Sequence, residues 1–402
     1  MTQQYQAGVI QFLPTVERIV YGAGVIDTLG SEIDRLGAHR VMILTARSLE
    51  DGPLMRRIVA HLGARHAGTL AAAFEHVPLE SVAAAVAAAR RLNADTIVAL
   101  GGGSVIDAAK AVRICIAAGL TSADDLGAFI EHPGPLINGL IPQLSIPTTL
   151  SGSEYTRSFS ATSFTQGVKR SYTNSAAASR VIVYDPLATM DTPMRLWLAS
   201  GVMAIDHAVE VLCASPPHPV GDILKLAAAR ELIGNLPLTR QVPTDADARV
   251  RCQVAAWMAD HSPLRAQPLE PAAAALPSHA LAYELGALCR VSYGIVACVI
   301  LPASLRWTAA RSSAQAARQA GMAQALGLAT RSGTVAEAAA ALADGLARLI
   351  AELGLPARLG DANISHDDLA KIARAFAARG GSLAGNRPAS EADVIDLLES
   401  AW

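Results

Sequence analysis

The stretch Asp95-Thr-Ile-Val-Ala-Leu-Gly-Gly-Gly-Ser104 decides the fold. Its apolar first half predicts a buried strand, and the glycines run directly into an Ala-rich segment that predicts a helix through about Ala118. Glycines at such a junction let the backbone approach a phosphate closely, and the start of the helix offers unpaired N–H groups to the anion. The spacing matches neither GxGxxG nor the P-loop, so the stretch by itself leaves a phosphate site and a plain connecting turn equally open.

Strand and helix patterns alternate on both sides of this stretch. The predicted strands are 40–46, 144–147 and 180–184, and the predicted helices are 50–62 and 79–92. Alternation at this spacing indicates a parallel sheet whose two faces are covered by helices. We therefore predict an α/β domain over residues 1–186.

Beyond residue 186 strand patterns nearly vanish. The predicted helices, many with a 3.6-residue apolar period, are 193–214, 221–234, 246–261, 269–290, 312–326, 335–353 and 366–378. The chain has 402 residues, which is roughly two to three times the usual length of a domain and favours two domains. We predict that the second, all-helical domain covers residues 187–402.

The composition excludes several classes of protein. Hydrophobic residues make up 51% of the chain and charged residues 17%, which supplies large cores and is unlike a disordered chain. Thirty-three Lys and Arg balance 35 Asp and Glu without any long run of like charge, and aromatic residues are only 4%. Nucleic-acid binders need a basic face or stacking rings, so we expect no nucleic-acid partner.

The N-terminal sequence and the cysteines bear on the cellular compartment. Residues 1–6 lack the basic and apolar regions of a secretory signal, and the apolar run 295–304 falls short of the ~18 residues that span a bilayer. The five cysteines are odd in number and include no CxxC pair, which argues against disulfides or a thiolate zinc site. We expect a cytoplasmic protein with buried, inert thiols and no membrane partner.

A second group of polar residues follows the predicted strand 144–147. In Ile146-Pro-Thr-Thr-Leu-Ser-Gly-Ser-Glu154, hydroxyl side chains and a glycine can line a cleft as hydrogen-bond donors for a ribose, a phosphate or an amide. An ordinary Ser/Thr-rich turn that caps a helix has the same composition. Because ligands of open α/β sheets bind at the carboxyl ends of the strands, two such stretches at one edge reinforce each other.

Two histidines lie on otherwise apolar predicted helices. His207 lies in Ala199-Ser-Gly-Val-Met-Ala-Ile-Asp-His-Ala-Val-Glu210, and His279 begins His279-Ala-Leu-Ala-Tyr-Glu-Leu-Gly286. A lone His on an apolar face is more often a hydrogen-bonded core residue than a functional one. Taken singly, either histidine is open to both interpretations.

Short motifs are spread over nearly the whole chain. In chain order they are Tyr21-Gly-Ala-Gly24, Gly101-Gly-Gly-Ser-Val-Ile-Asp-Ala-Ala-Lys110, Ile146-Pro-Thr-Thr149, Gly152-Ser-Glu154, Asp185-Pro186, Ser278-His-Ala280, Gly294 and Leu301-Pro302. Taken together, they resemble the motifs of the iron-containing (group III) alcohol dehydrogenase family. The segments 203–210, 386–389 and 393–402 look most like the maleylacetate-reductase branch. The resemblance implies a Rossmann-like NAD(P) domain, an all-α C-terminal domain in the dehydroquinate synthase-like architecture, a cleft between them, and a homodimer.

The resemblance also implies NADPH or NADH as cofactor and assigns the residues that bind it. Gly102, Gly103 and Ser104 would bind the pyrophosphate, with Asp107 near the nicotinamide. The residues expected on the ribose, nicotinamide or adenylate side are Thr148, Thr149, Ser153 and Lys169. Ala46 stands where NAD-preferring members carry an Asp, and without that carboxylate a 2′-phosphate is not repelled. With Arg47 adjacent, this favours NADPH or the use of both cofactors.

The metal site of the family is degenerate in this chain. Metal-dependent members use an Asp and three His, and the corresponding residues here are Met203, His207, His279 and Tyr293. Open Fe²⁺ or Zn²⁺ sites need three or four N or O ligands, and a thioether suits neither ion. Glu210, three residues beyond His207, could in principle substitute. The maleylacetate-reductase branch manages without the Asp, so we expect no metal ion. That branch usually keeps a His at the position of Tyr293, and this difference argues against maleylacetate itself as the substrate.

The sequence thus predicts a metal-independent, NAD(P)H-dependent reductase of a small carbonyl or conjugated enoyl acid. The candidate catalytic residues are Tyr293 as proton donor, His279 and His207 to orient the substrate, and Tyr283, which replaces another His of the family pattern. Several alternatives stay open: tyrosines that only fill the volume of the lost metal, a metal-dependent alcohol dehydrogenase with altered ligands, a lyase or isomerase, and a paralogue without activity.

Overall fold

The computed structural model describes residues 8–9, 16–132, 137–165, 168–214, 217–260, 267–268, 277–378, 380–381, 383 and 388–402. The chain forms two compact units. The N-terminal unit is Leu13–Thr192, and the C-terminal unit combines Met1–Phe12 with Pro193–Trp402. The domain boundary at residue 186 stays a prediction. In the C-terminal unit, strand β1 (Gly8–Val9) pairs antiparallel with β10 (Gln267–Pro268).

A parallel β-sheet organises the N-terminal unit. Its strands in the described residues are β2 (Arg18–Tyr21), β3 (Val41–Ala46), β4 (His66–Ala72), β5 (Thr96–Gly101), β6 (Gln143–Pro147) and β9 (Val181–Tyr184). Their spatial order is β2-β9-β6-β5-β3-β4, and each of these pairings is parallel. The carboxyl ends of β3, β5 and β6 therefore meet at one edge.

Helices cover both faces of this sheet. Helices α1 (Leu29–Arg35) and α2 (Pro53–Leu62) pack on one face, and α3 (Leu79–Arg91), α4 (Gly103–Ala118) and α5 (Ala123–Glu131) on the other. Successive residues of β3 alternate between the two cores, because side chains alternate along a strand. Burial on both faces explains why these strands are continuous apolar runs. The predicted parallel α/β architecture is confirmed.

An antiparallel hairpin, β7 (Ser158–Ser163) with β8 (Val168–Thr173), completes the N-terminal unit. Arg113 of α4 fixes the chain around this hairpin. Its buried guanidinium donates to the carbonyl oxygens of Ile141 (2.6 Å) and Ala177 (2.8 Å), and burial lowers the pKa of Arg113 to about 9. A buried cation keeps such partners because losing one is costly.

The end of the unit is bonded back to its beginning. Strand β2 pairs with β9, and Asp185 directly after β9 is fully buried. Its carboxylate accepts hydrogen bonds from the backbone N–H groups of Gly24 and Ile26, each at 3.1 Å, and of Leu187 at 3.0 Å. The two sequence motifs at 21–24 and 185–186 thus form one structural contact.

The C-terminal unit is helical. Its described helices are α6 (Met194–Ala214), α7 (Gly221–Gln241), α8 (Ala246–Asp260), α9 (Pro277–Cys289), α10 (Tyr293–Arg311), α11 (Ser313–Ala325), α12 (Val335–Glu352), α13 (Leu369–Ala378) and α14 (Glu391–Ser400). The predicted helical domain is confirmed, with the short β1–β10 pair as the exception. The predicted helix 269–290 is observed from Pro277, and residues 269–276 lie outside the described residues.

Two of these helices, α6 and α10, are long and apolar enough to cross a membrane. The most apolar 18-residue segment of each helix is largely buried inside the protein, 72% of it in α6 and 78% in α10. Core helices of a globular domain are buried in this way. The two helices touch through their backbones. A Cβ at Gly294 would lie 2.6 Å from the Ala199 carbonyl oxygen, so only glycine permits this approach.

The five cysteines are free thiols. Cys115, Cys213, Cys252 and Cys298 are buried as expected, whereas Cys289 is half-buried. Burial raises the pKa of Cys115 and of Cys213 to about 12, which keeps both thiols protonated and unreactive.

Candidate functional site

The glycine turn after β5 leads into helix α4, whose start has no side-chain cap. Gly101 has a φ of +151°, a conformation that other residues rarely adopt, and Gly102 caps the helix without any side-chain hydrogen bond. The first N–H groups of a helix have no partner within it and carry a partial positive charge. This end of α4 is therefore suited to an anion.

The segment 148–153, which follows β6, lies opposite the start of α4. We call these two walls together the cradle. The backbone N–H of Thr148 donates to the Gly101 carbonyl oxygen at 3.0 Å, which joins the two strand ends. A Cβ at Gly102 would lie 3.3 Å from Thr149 Oγ1, and one at Gly103 would lie 2.7 Å from Ser151 Oγ. The glycines thus let two hydroxyl groups approach the helix start.

Both of these hydroxyl oxygens, Thr149 Oγ1 and Ser151 Oγ, are buried and have no hydrogen-bond partner among the described residues. Buried polar atoms are nearly always bonded, so a pair without partners indicates a place for a polar ligand. Two free hydroxyls beside a glycine-rich helix start fit the pyrophosphate of a dinucleotide cofactor. The sequence prediction named Thr149 but missed Ser151, although it stands in the same quoted stretch.

A buried lysine connects the two walls. Lys110 of α4 is fully buried, and its ammonium donates to Asp107 Oδ1 (3.0 Å), Ser153 Oγ (3.2 Å), Thr156 Oγ1 (2.8 Å) and the Ser158 carbonyl oxygen (2.8 Å). The Ser153 hydroxyl also donates to the Asp107 carboxylate. Burial lowers the pKa of Lys110, and the Asp107 charge opposes that shift. Asp107 and Ser153, both predicted to bind cofactor, therefore lie side by side.

Two further predicted cofactor residues lie on neighbouring elements of the same unit. Lys169 on β8 is half-buried; burial lowers its pKa to about 8, while the charge of Asp107 acts in the opposite direction. Ala46 ends β3, whose Thr45 is paired with Leu100 of β5. Ala46 thus lies at the same sheet edge as the glycine turn, and the exposed Arg47 follows it.

In the C-terminal unit the two histidines form a pair. His207 of α6 and His279 of α9 have ring centroids 5.2 Å apart, with the rings at 65° in an edge-to-face arrangement. His207 is buried and His279 is exposed. The structure thus brings together the two histidines that the family resemblance assigned to one metal site.

The residues directly before the two histidines are bonded to each other. Ser278 donates from Oγ to Asp206 Oδ1 at 2.6 Å, and both side chains are fully buried. Burial, together with the nearby Glu210 carboxylate, raises the pKa of Asp206 to about 7, while Ser278 and His279 act in the opposite direction. Sequence reasoning assigned neither residue a role; the available signal was that each one precedes a candidate histidine.

Tyr293 touches one histidine-bearing helix, and its neighbour touches the other. A Cβ at Gly286 of α9 would lie 3.6 Å from Tyr293 Cζ, and Gly294 meets the backbone of α6 at Ala199. Met203 lies half-buried on α6, one turn before His207. Tyr283 belongs to α9, but its side chain lies outside the described residues.

The four positions that the family resemblance assigns to metal ligands form an altered ligand set. They hold two imidazoles, a thioether and a phenol, and they lack the carboxylate of the metal-dependent pattern. In the part of the chain that the structure describes, no group of three or more His, Cys, Asp or Glu side chains is arranged to hold a metal ion.

Comparisons with known proteins match both units. The family described as iron-containing alcohol dehydrogenase matches residues 16–186, and the C-terminal domain of the Fe-containing alcohol dehydrogenase family matches residues 197–402. A maleylacetate reductase from Sphingobium indicum is 30% identical over 388 residues, which are 96% of each chain.

Solved structures agree with this match. A maleylacetate reductase from Agrobacterium tumefaciens has a TM-score of 0.75 and 26% identity, covering 100% of this chain and 98% of its own. A sulfoacetaldehyde reductase from Bifidobacterium kashiwanohense in complex with NAD⁺ has a TM-score of 0.80, covering 99% and 98%. At 20% identity the second structure shows the fold alone.

Replacing Gly103 with valine is expected to weaken the binding of NADH and of NADPH by at least ~2 kcal/mol. The new side chain would occupy the space between α4 and the Ser151 hydroxyl. Fluorescence titration of both cofactors measures the effect. The matched control is Gly52→Ala, since Gly52 also caps a helix of this unit but has open space around its Cβ position. Unchanged titration of a folded Gly103→Val protein would contradict the cradle.

The pKa of Lys169 predicts a pH dependence of cofactor binding. The ammonium is charged below pH ~8 and is lost above it, so NADH affinity should be constant at lower pH and fall roughly tenfold as pH rises through 8. NADH is the suitable probe because its pyrophosphate charge does not change in this range. Lys169→Arg should remove the pH dependence, and a wild-type profile without any step near pH 8 would exclude Lys169 from the site.

Proposed function

This chain belongs to the iron-containing alcohol dehydrogenase family, and we propose that it is a metal-independent, NAD(P)H-dependent reductase of a small carbonyl or conjugated enoyl acid. The supporting observation is a contrast between its two units. The cradle at the start of α4 keeps two buried hydroxyls that have no partner among the described residues, whereas the four positions assigned to metal ligands retain only His207 and His279. A reductase that needs the cofactor but not the ion fits both facts.

The N-terminal unit supplies the cofactor site in this proposal. Backbone N–H groups at Gly103 and Ser104, with the Thr149 and Ser151 hydroxyls, would hold the pyrophosphate. The bound cofactor supplies a hydride to the substrate. Lys110 keeps Asp107 and Ser153 in place beside this cradle, so that the site exists before the cofactor arrives.

The C-terminal unit supplies the groups that handle the substrate. Without a metal ion, hydrogen-bond donors must stabilise the negative charge that develops on the substrate oxygen. His207 and His279 would orient the substrate through their ring nitrogens, and the Tyr293 phenol would donate the proton. A proton-donating Tyr near an imidazole is chemically suited to this task, since a protonated His lowers the pKa of a neighbouring phenol.

The similarity to maleylacetate reductases suggests the class of substrate. The relative from Sphingobium indicum is named a maleylacetate reductase, and its name indicates a short unsaturated keto acid. We propose an acid of that kind for this chain. Maleylacetate is the first compound to test, with oxidation of NADH or NADPH followed at the nicotinamide absorbance band. No oxidation with any small enoyl or keto acid would contradict the proposal.

The proposed mechanism predicts the response to chelation and to loss of the phenol. EDTA should leave activity unchanged and added Zn²⁺ or Fe²⁺ should not raise it, while Tyr293→Phe should lower kcat by ~10²-fold or more. Full activity of Tyr293→Phe would reject the donor role and favour a tyrosine that only fills the volume of the lost metal. Activity lost on chelation and restored by metal would overturn the metal-free scheme.

The cofactor preference can be shifted at one position. Ala46→Asp should raise the preference for NADH by roughly tenfold or more, because the new carboxylate repels a 2′-phosphate and can bond the free ribose hydroxyl. The measurement is the ratio of kcat/KM for NADH and NADPH. Ala46→Asn, which is nearly isosteric but uncharged, is the control. If Ala46→Asp leaves the ratio where it is, Ala46 does not lie at the adenosine ribose.

A further inference from the structure

We propose that the hydrogen bond between Asp206 and Ser278 is the positioning device for the His207–His279 pair, and that it holds the two imidazoles together where related enzymes use a metal ion. The inference rests on the proposed function, because it gives the pair a role in orienting substrate. Asp206 and Ser278 are positioning residues in this scheme; they act only through their neighbours.

The register of the two helices carries the argument. Asp206 and His207 are consecutive on α6, and Ser278 and His279 are consecutive on α9. The first residues of each pair are bonded at 2.6 Å, and the second residues have rings 5.2 Å apart. A short bond between two fully buried groups fixes the separation of the helices at that level. The spacing of the adjacent imidazoles follows from it.

The position of the Asp206 carboxylate along α6 supports the same proposal. Metal-dependent members carry their Asp at the position of Met203, whereas this chain has its carboxylate three residues later, at Asp206. Residues three apart lie on neighbouring parts of one helix face. The carboxyl group thus remains near the histidines, but it bonds Ser278 of the other helix.

Burial of the Asp206 carboxyl group lowers the stability of the fold, and this also indicates a role for it. Asp206 is completely buried, and its Oδ2 has no hydrogen-bond partner within the described ranges. A buried, half-satisfied acid destabilises a fold, so a chain that keeps one directly before a candidate histidine gains something other than stability.

Four variants test the proposal. Ser278→Ala removes the donor and Asp206→Leu removes the acceptor, and each should lower kcat roughly tenfold or more. Asp206→Asn keeps an acceptor oxygen and should retain activity within about threefold. The matched control is Ser200→Ala, which removes another buried Ser hydroxyl of α6, one that donates to the Trp197 carbonyl oxygen at 2.8 Å, and should leave kcat within about twofold. NADPH affinity, measured by fluorescence, should not change in any of them.

A second readout does not depend on activity. Crystal structures, or NMR spectra with labelled histidines, report the contact between the two rings. The contact should persist in Asp206→Asn and Ser200→Ala and be lost in Ser278→Ala and Asp206→Leu. If Ser278→Ala does not fold, Ser278→Cys keeps the volume with a much weaker donor and takes its place.

The two readouts separate failure of this inference from failure of the proposed function. Rings that separate as expected in a protein without reductase activity would support the positioning role of the Asp206–Ser278 bond and reject the proposed function. An active wild type whose Ser278→Ala variant keeps both its ring contact and its kcat would overturn the positioning role and leave the proposed function standing. Equal losses in Ser278→Ala and in the Ser200→Ala control would show a general packing effect and also overturn it.

Discussion

The ammonium group of Lys110 is the charge on which the N-terminal unit depends. It is removed from water, so its four oxygen partners must stay in place, and these belong to α4, to the loop after β6 and to β7. Movement of any of these elements would take at least one partner away from a buried cation, which is costly. The glycine turn and the hydroxyls opposite it are therefore held at one separation, which is what a cradle for an anion requires.

Most of the sheet could be predicted from the sequence because both of its faces are buried. Strands such as Thr96–Gly101 are then continuous apolar runs bounded by turn residues. Helix Tyr293–Arg311 could not be predicted in the same way, since it is apolar on all sides, lacks a 3.6-residue period and contains Pro302. Strand Val168–Thr173 was missed for the opposite reason, because its polar residues lie in a hairpin outside the main sheet.

The candidate site could likewise be predicted from the sequence only in part. Residues at strand ends, such as Thr149, could be placed beside the glycine turn, since parallel strands bring their carboxyl ends to one edge. The bond between Asp206 and Ser278 joins residues 72 positions apart, and nothing in local pattern or spacing specifies it. Sequence motifs identified the histidines, but only the fold shows the hydrogen bond between the residues that precede them.

The pairing of β2 with β9 has a consequence for synthesis of the chain. Gly24 and Asp185 are bonded to each other across 161 residues. At typical translation rates the ribosome needs roughly ten to thirty seconds to make that length of chain. During this interval β2 waits without the neighbour that completes its side of the sheet, and loop closure over so long a segment is slow. Until residue 184 has left the ribosome, the growing sheet therefore lacks β9, and the sides of β2 and β6 that pair with it stay without their partner.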